Sequence, residues 1–205
     1  MSEVTAATAG SSTTADPYTK RSAQYYTLGL LTIVYIFNFV DRQILSILQE
    51  PIKRDLGLSD AQLGLLTGFA FAAFYVVAGI PIARFADRAV RRNIVAWSLA
   101  VWSAMTALCG LAQNYTQLLV ARIGVGIGEA GCTPPSHSII SNIFPPQRRA
   151  SALGFYTTGV YVGILFGFLF GGWLNHFLGW RMALVFVGVP GIVLGVQVTR
   201  SALWT

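Results

Sequence analysis

Apolar and polar positions along this chain come in blocks rather than in the alternating faces of a surface helix. Six apolar stretches, at about 25–49, 60–84, 93–112, 116–143, 148–174 and 180–199, are separated by short polar clusters. Each matches or approaches the roughly 20 residues a helix needs to cross the hydrocarbon of a bilayer. The pattern predicts an all-α, polytopic membrane protein with six transmembrane helices. Residues 1–24 are rich in Ser, Thr and Ala, lack an apolar pattern and are expected to form a disordered tail. They hold no apolar signal core, and the run that follows is long enough to span, so a cleaved signal peptide is not expected.

Composition agrees with the block pattern. Hydrophobic residues make up 54% of the chain and charged ones 11%, and a soluble chain would scatter its charges along every element. The net charge of +6 does not point to nucleic acid, because the basic residues sit in short loops instead of along one face. Their placement gives an orientation. Lys20, Arg21, Arg84, Arg88, Arg91, Arg92, Arg148, Arg149 and Arg200 fall on one side, and Lys53, Arg54 and Arg181 on the other. The richer side is expected to be cytoplasmic, with both termini there and the protein in the cell (inner) membrane. Cys109 and Cys132 lie in apolar surroundings and are expected to pack, without a metal or other cofactor.

The loops account for most charges but not for four. Stopping the first span at Val40 would leave about 16 residues, too few to cross, so Asp41 and Arg42 are expected within the membrane. Arg122 and Glu129 lie inside the fourth span. Seven residues apart, they share one helix face. An isolated charge at the bilayer centre costs about 2.5–3.5 kcal/mol on insertion scales, so intramembrane ionisable residues point to function. Two acids and two bases can neutralise one another, and both helix 1 charges are expected to pair across to helix 4. A carboxylate in such a place can exchange protons in the physiological range, Glu129 foremost. Asn38 and Thr133, each one turn from an acid, are candidate cavity-lining residues. His137, eight residues after Glu129, could extend a proton path, although a helix-end histidine bonded to backbone explains it as well. The glycines of helix 4, followed by Pro134 and Pro135, suggest a bend beside Glu129.

The stretch ARFADRAVRR between helices 2 and 3 resembles the loop signature of the major facilitator superfamily, Gly-x-x-x-Asp-Arg-x-Gly-Arg-Arg/Lys. Asp87, Arg88, Arg91 and Arg92 fall on its charged positions, while Ala83 and Val90 replace its glycines. RIGVGIGEAG and GWRMALVF are similar to further motifs of that family. Within it, VDR on helix 1 and GIGEAG with the following proline on helix 4 look most like the spinster branch. The resemblance implies a half-bundle of two inverted three-helix repeats, about 25–112 and 116–199, followed by a tail at 200–205. It implies that Asp87, Arg88, Arg91 and Arg92 form a cytoplasmic gating motif. A C-terminal six-helix half would be missing, to be supplied by the rest of a longer chain or by a second chain. The expected function is proton-coupled secondary transport of lysophospholipid or sphingoid-type amphipathic anions, with membrane lipids as surroundings. Asp41, Arg42, Arg122 and Glu129 would serve proton coupling and substrate binding. A carrier of another small organic anion, a lipid-modifying membrane enzyme using Glu129 and His137 as acid and base, and a non-transporting scaffold are the alternatives.

Overall fold

The computed structural model describes residues 21–86 and 88–200, and the region is helical throughout apart from short turns. The helices are α1 (Arg21–Leu56), α2 (Asp60–Gly64), a π-helical turn (Leu65–Phe69), α3 (Ala70–Ala86), α4 (Arg91–Leu111), α5 (Tyr115–Ala130), α6 (Thr133–Ile143) and α7 (Pro146–Arg200). Four stretches among the described residues, Arg21–Leu56, Asp60–Ala86, Arg91–Leu111 and Pro146–Thr199, are long and apolar enough to cross a membrane. Gly179, with φ 74° and ψ 166°, folds the last stretch into two arms. Only a residue without a Cβ adopts that backbone region without strain. The tandem α5–α6 makes the sixth rod.

Local sequence sets the ends. α1 runs seven residues beyond the expected stop at 49, because its polar last turn still favours a helix, with Arg54 Nε donating to Glu50 one turn earlier at 2.9 Å. It ends where Gly57 takes φ 62° and the Leu58 N–H closes on the Lys53 carbonyl at 3.0 Å, a Schellman cap that buries Leu58. Ser59 then opens α2 with a capping box: its hydroxyl accepts from the Gln62 N–H at 3.2 Å, and the Gln62 side chain accepts from the Ser59 N–H at 2.9 Å. The expected single helix over 116–143 is interrupted instead. The N–H of Gly131 bonds the Gly128 carbonyl and that of Cys132 the Glu129 carbonyl. α6 restarts on Pro134 and Pro135, which have no N–H to continue the ladder.

The ends of the rods gather in two groups. At one, Asp55 accepts from Arg181 Nη2 at 2.8 Å and from Trp180 Nε1 at 3.2 Å, while Arg181 Nη1 donates to the Ala112 carbonyl and its guanidinium lies 4.3 Å from the Trp180 ring centre. One clasp thus joins α1, α4 and the second arm of α7. At the other end, Gln24 Nε2 donates to the Ile143 carbonyl at 2.7 Å, and Tyr25 meets Phe144 edge-on at 5.9 Å.

Packing is close. The first arm of α7 lies on α1 through Gly159, Gly163, Gly167 and Gly171. A Cβ at Gly163 would stand 2.6 Å from the Ile36 carbonyl oxygen, so the approach requires glycine. α5 lies on α4, where a Cβ at Gly128 would fall 2.7 Å from the Trp102 backbone nitrogen. That contact brings Glu129 into the middle of the bundle.

Candidate functional site

Four helices converge on one polar centre. α1 supplies Asn38, Asp41 and Arg42, α3 supplies Phe71 and Tyr75, α4 supplies Thr106, and α5 supplies Arg122 and Glu129. Asp41 accepts from Arg122 Nη1 on Oδ2 at 3.1 Å, and Glu129 accepts from Arg42 Nε on Oε2 at 2.7 Å. The seven-residue step from Arg122 to Glu129 is a rise of about 10 Å along α5, whereas Asp41 and Arg42 are neighbours. The long arginine side chains bridge that difference. Both pairs therefore form between the same two helices although Asp41 and Arg42 point about 100° apart.

Burial separates the members. Asp41, Arg122 and Glu129 are buried, while the Arg42 side chain is 28% exposed. Its guanidinium lies 5.3, 5.1 and 5.0 Å from the ring centres of Phe39, Phe71 and Tyr75. Phe71 also faces Arg122, at 4.8 Å, so one ring touches both cations. The π-helical turn just before α3 adds a residue to the helical turn at this level, and Phe71 and Tyr75 then share the face directed at α1. Several buried polar atoms in and around the centre have no protein partner: both amide atoms of Asn38, Arg122 Nε and Glu129 Oε1. Such atoms are costly to bury without a partner, and their clustering marks this centre as the polar heart of the bundle.

Of the residues singled out from sequence, Asp41, Arg42, Arg122 and Glu129 come together here, and Asn38 lies buried one turn away. Thr133, half-buried, begins α6 beyond the break, on a different helix from the quartet. His137 is exposed on α6, with its ring edge-on to Tyr156 at 5.3 Å. Tyr156 in turn stacks on Tyr35 at 4.3 Å. The turn at Gly131 and Cys132 separates α5 from α6, so the continuous helix face expected to carry both Glu129 and His137 is interrupted. Arg88 is exposed and Arg91 and Arg92 half-buried at the start of α4, and Asp87 lies outside the described residues. Cys109 and Cys132 are buried and unbridged. A groove of about 580 Å³ is lined by Tyr25, Leu28, Phe144, Arg148 and Phe155 and shares no residue with the quartet.

Sequence reasoning missed Thr106, Phe71 and Tyr75. Thr106 Oγ1 donates to Asp41 Oδ1 at 2.7 Å and is buried. In the sequence it is one of three hydroxyls on α4, with Ser98 and Ser103, and nothing there sets it apart, while Phe71 and Tyr75 look like ordinary lipid-facing aromatics.

Six membrane-length rods packed by glycines around a central set of paired charges define a class, the polytopic helical secondary transporters. The chain belongs to the Major Facilitator Superfamily, whose family model matches residues 31–205. It is 44% identical over 167 residues to an MFS-type efflux pump of Mycolicibacterium smegmatis, covering 82% of this chain and 39% of that protein. It is 32% identical over 170 residues to a D-galactonate transporter of Escherichia coli, covering 83% of this chain and 39% of the relative. Among solved structures, an inward-facing, unoccupied bacterial homologue of the human lysosomal transporter Spinster superposes with a TM-score of 0.84 at 41% identity, over 89% of this chain and 44% of that one. An occupied form of a bacterial Spinster homologue gives the same TM-score. The chain thus spans about two fifths of the length of the curated relatives it matches. The fold is a transporter fold and the relatives are named as transporters and efflux pumps, which overturns the lipid-modifying enzyme read as an alternative from the sequence.

Proposed function

We propose that this chain forms the N-terminal half of a proton-coupled secondary transporter for amphipathic anions of the lysophospholipid or sphingoid type. The observation that carries the reading is the crossed pair of ion bridges, Asp41 with Arg122 and Arg42 with Glu129, joining α1 and α5; in a half-bundle of two inverted repeats these helices would occupy equivalent places. Each acid that takes up a proton releases an arginine. Arg42 is the member with an open side, so protonation of Glu129 frees a partly exposed guanidinium, set among aromatic rings, for a phosphate or carboxylate head group. Loss of that proton restores the bridge and expels the anion. The break after Ala130 gives α6 a place to move against α5 as the bridge opens and closes.

The remaining partners follow from the same reading. A second six-helix half closes the cavity, Arg88, Arg91 and Arg92 with Asp87 latch the two halves on the cytoplasmic side, and both termini lie in the cytoplasm of a cell whose inner membrane holds the protein. Support for the lipid class comes from likeness to bacterial Spinster homologues. The names of the sugar-acid relatives favour a second substrate class, small hydrophilic carboxylates.

Proteoliposomes holding the full gene product decide between them. Under an imposed pH gradient, labelled lysophosphatidylglycerol is accumulated and Glu129→Gln abolishes the accumulation. Gradient-driven uptake that survives Glu129→Gln removes the coupling role, and uptake of labelled D-galactonate in its place moves the substrate to the sugar acids.

A further inference from the structure

Thr106 differs from four other helical hydroxyls and from its neighbour Ser103, whose buried Oγ has no partner. Thr32, Thr67, Ser136 and Thr157 each donate to the carbonyl one turn back on their own helix, at 2.7–2.9 Å. That is the usual resting place for a hydroxyl in an apolar helix. Thr106 leaves its own ladder and donates across to Asp41 Oδ1 on α1 at 2.7 Å, with 1% of its surface exposed. Asp41 is therefore held at both oxygens, by Thr106 on Oδ1 and by Arg122 on Oδ2.

The two holders differ chemically. Arg122 has only donors and loses its bridge when the carboxylate is neutralised, whereas a hydroxyl both donates and accepts. The Thr106 hydroxyl can donate to the ionised carboxylate and can equally accept the acid proton or stay on the carbonyl oxygen once Asp41 is neutral. The other charged or titratable groups around Asp41 cannot replace it. Arg42 on its own helix and Glu129 on α5 are engaged with each other, Cys109 on α4 has only a weak thiol, and α7 meets this part of α1 with its glycine row.

We infer that Thr106 is the positioning residue for Asp41, holding its carboxyl in one rotamer in both protonation states so that the proton returns to the oxygen facing Arg122. The inference rests on the reading of Asp41 as a proton carrier. Infrared difference spectra between acid and alkaline pH, taken on the full gene product in lipid, test it without a known substrate. The carboxylic C=O band that disappears in Asp41→Asn is the band of Asp41. It moves to higher frequency in Thr106→Val, which keeps the branched shape and loses the hydroxyl, and it returns in Thr106→Ser. Thr106→Ala gives the same upward move should the valine variant fold poorly. Gradient-driven uptake of lysophosphatidylglycerol falls about tenfold in Thr106→Val, as expected for one lost hydrogen bond to a charged group, and recovers in Thr106→Ser. An unmoved band in both Thr106→Val and Thr106→Ala overturns the role of Thr106 while leaving Asp41 as a carrier. An Asp41→Asn spectrum that loses no band overturns the carrier reading, and the inference with it.

Discussion

The Asp41–Arg122 bridge is 3.1 Å long, with 1% and 5% of the two side chains exposed. Removing one partner of such a pair strands a charge away from water, which costs about 3–5 kcal/mol, whereas replacing both by apolar side chains of similar volume is close to neutral. Arg122→Met alone should therefore lower the unfolding free energy by about that amount, and Asp41→Leu with Arg122→Met should recover most of it. Thermal unfolding of the purified variants in one lipid composition reads both. The same physics made the quartet legible in sequence. Asp41, Arg42, Arg122 and Glu129 announce themselves because nothing else explains a charge in an apolar run. Thr106 stayed hidden because a threonine can satisfy its own helix, and only the position of α1 shows that it does not. Phe71 and Tyr75 stayed hidden because any face of a membrane helix carries aromatics.

Hydropathy located the membrane rods, since the desolvation cost of a polar residue acts over a whole span. It could not locate the interruptions. The stop after Ala130 follows from two prolines and a glycine, which suggest a bend in the sequence itself, whereas the π-helical turn at Leu65–Phe69 contains no proline at all. The packing of the rods yields a paired prediction on one helix. Gly163→Ala places a methyl 2.6 Å from a carbonyl oxygen of α1 and pushes the helices apart, while Gly154→Ala meets nothing within 4 Å. The first should lower the thermal midpoint of the protein. The second should leave it unchanged or raise it, by up to about 1 kcal/mol in helix propensity. The clasp of Asp55, Trp180 and Arg181 is half open to solvent, so its net contribution is on the order of 1 kcal/mol or less. Asp55→Asn should speed hydrogen exchange at the last turn of α1 and the first turn after Gly179, and leave the global midpoint in place.

The described residues form six rods, and the contacts between them sort the rod ends into two groups. Gln24 meets Ile143 at one end, and Asp55 meets Arg181 at the other. Single cysteines at Ser22, Asn93 and Gln147 should react with a membrane-impermeant thiol reagent from one side, and those at Ser59 and Asn114 from the opposite side, in a Cys109→Ala, Cys132→Ala background. Reaction of all five from one side would refute the six-rod arrangement. The π-helical turn adds a tolerance at this scale. It accommodates an extra residue within a single helical turn, and everything after it is phased accordingly. Deleting one residue between Leu65 and Phe69 would let this turn close as ordinary α-helix, so the rest of that rod would keep its phase relative to its beginning. The ring that touches both guanidiniums would stay on its face, whereas a deletion within the regular helix between Phe71 and Tyr75 would turn Tyr75 by about 100° away from Arg42. The short wide turn is thus a reserve of one residue at the protein's centre, and a codon lost there should be far less damaging than the loss of a charge.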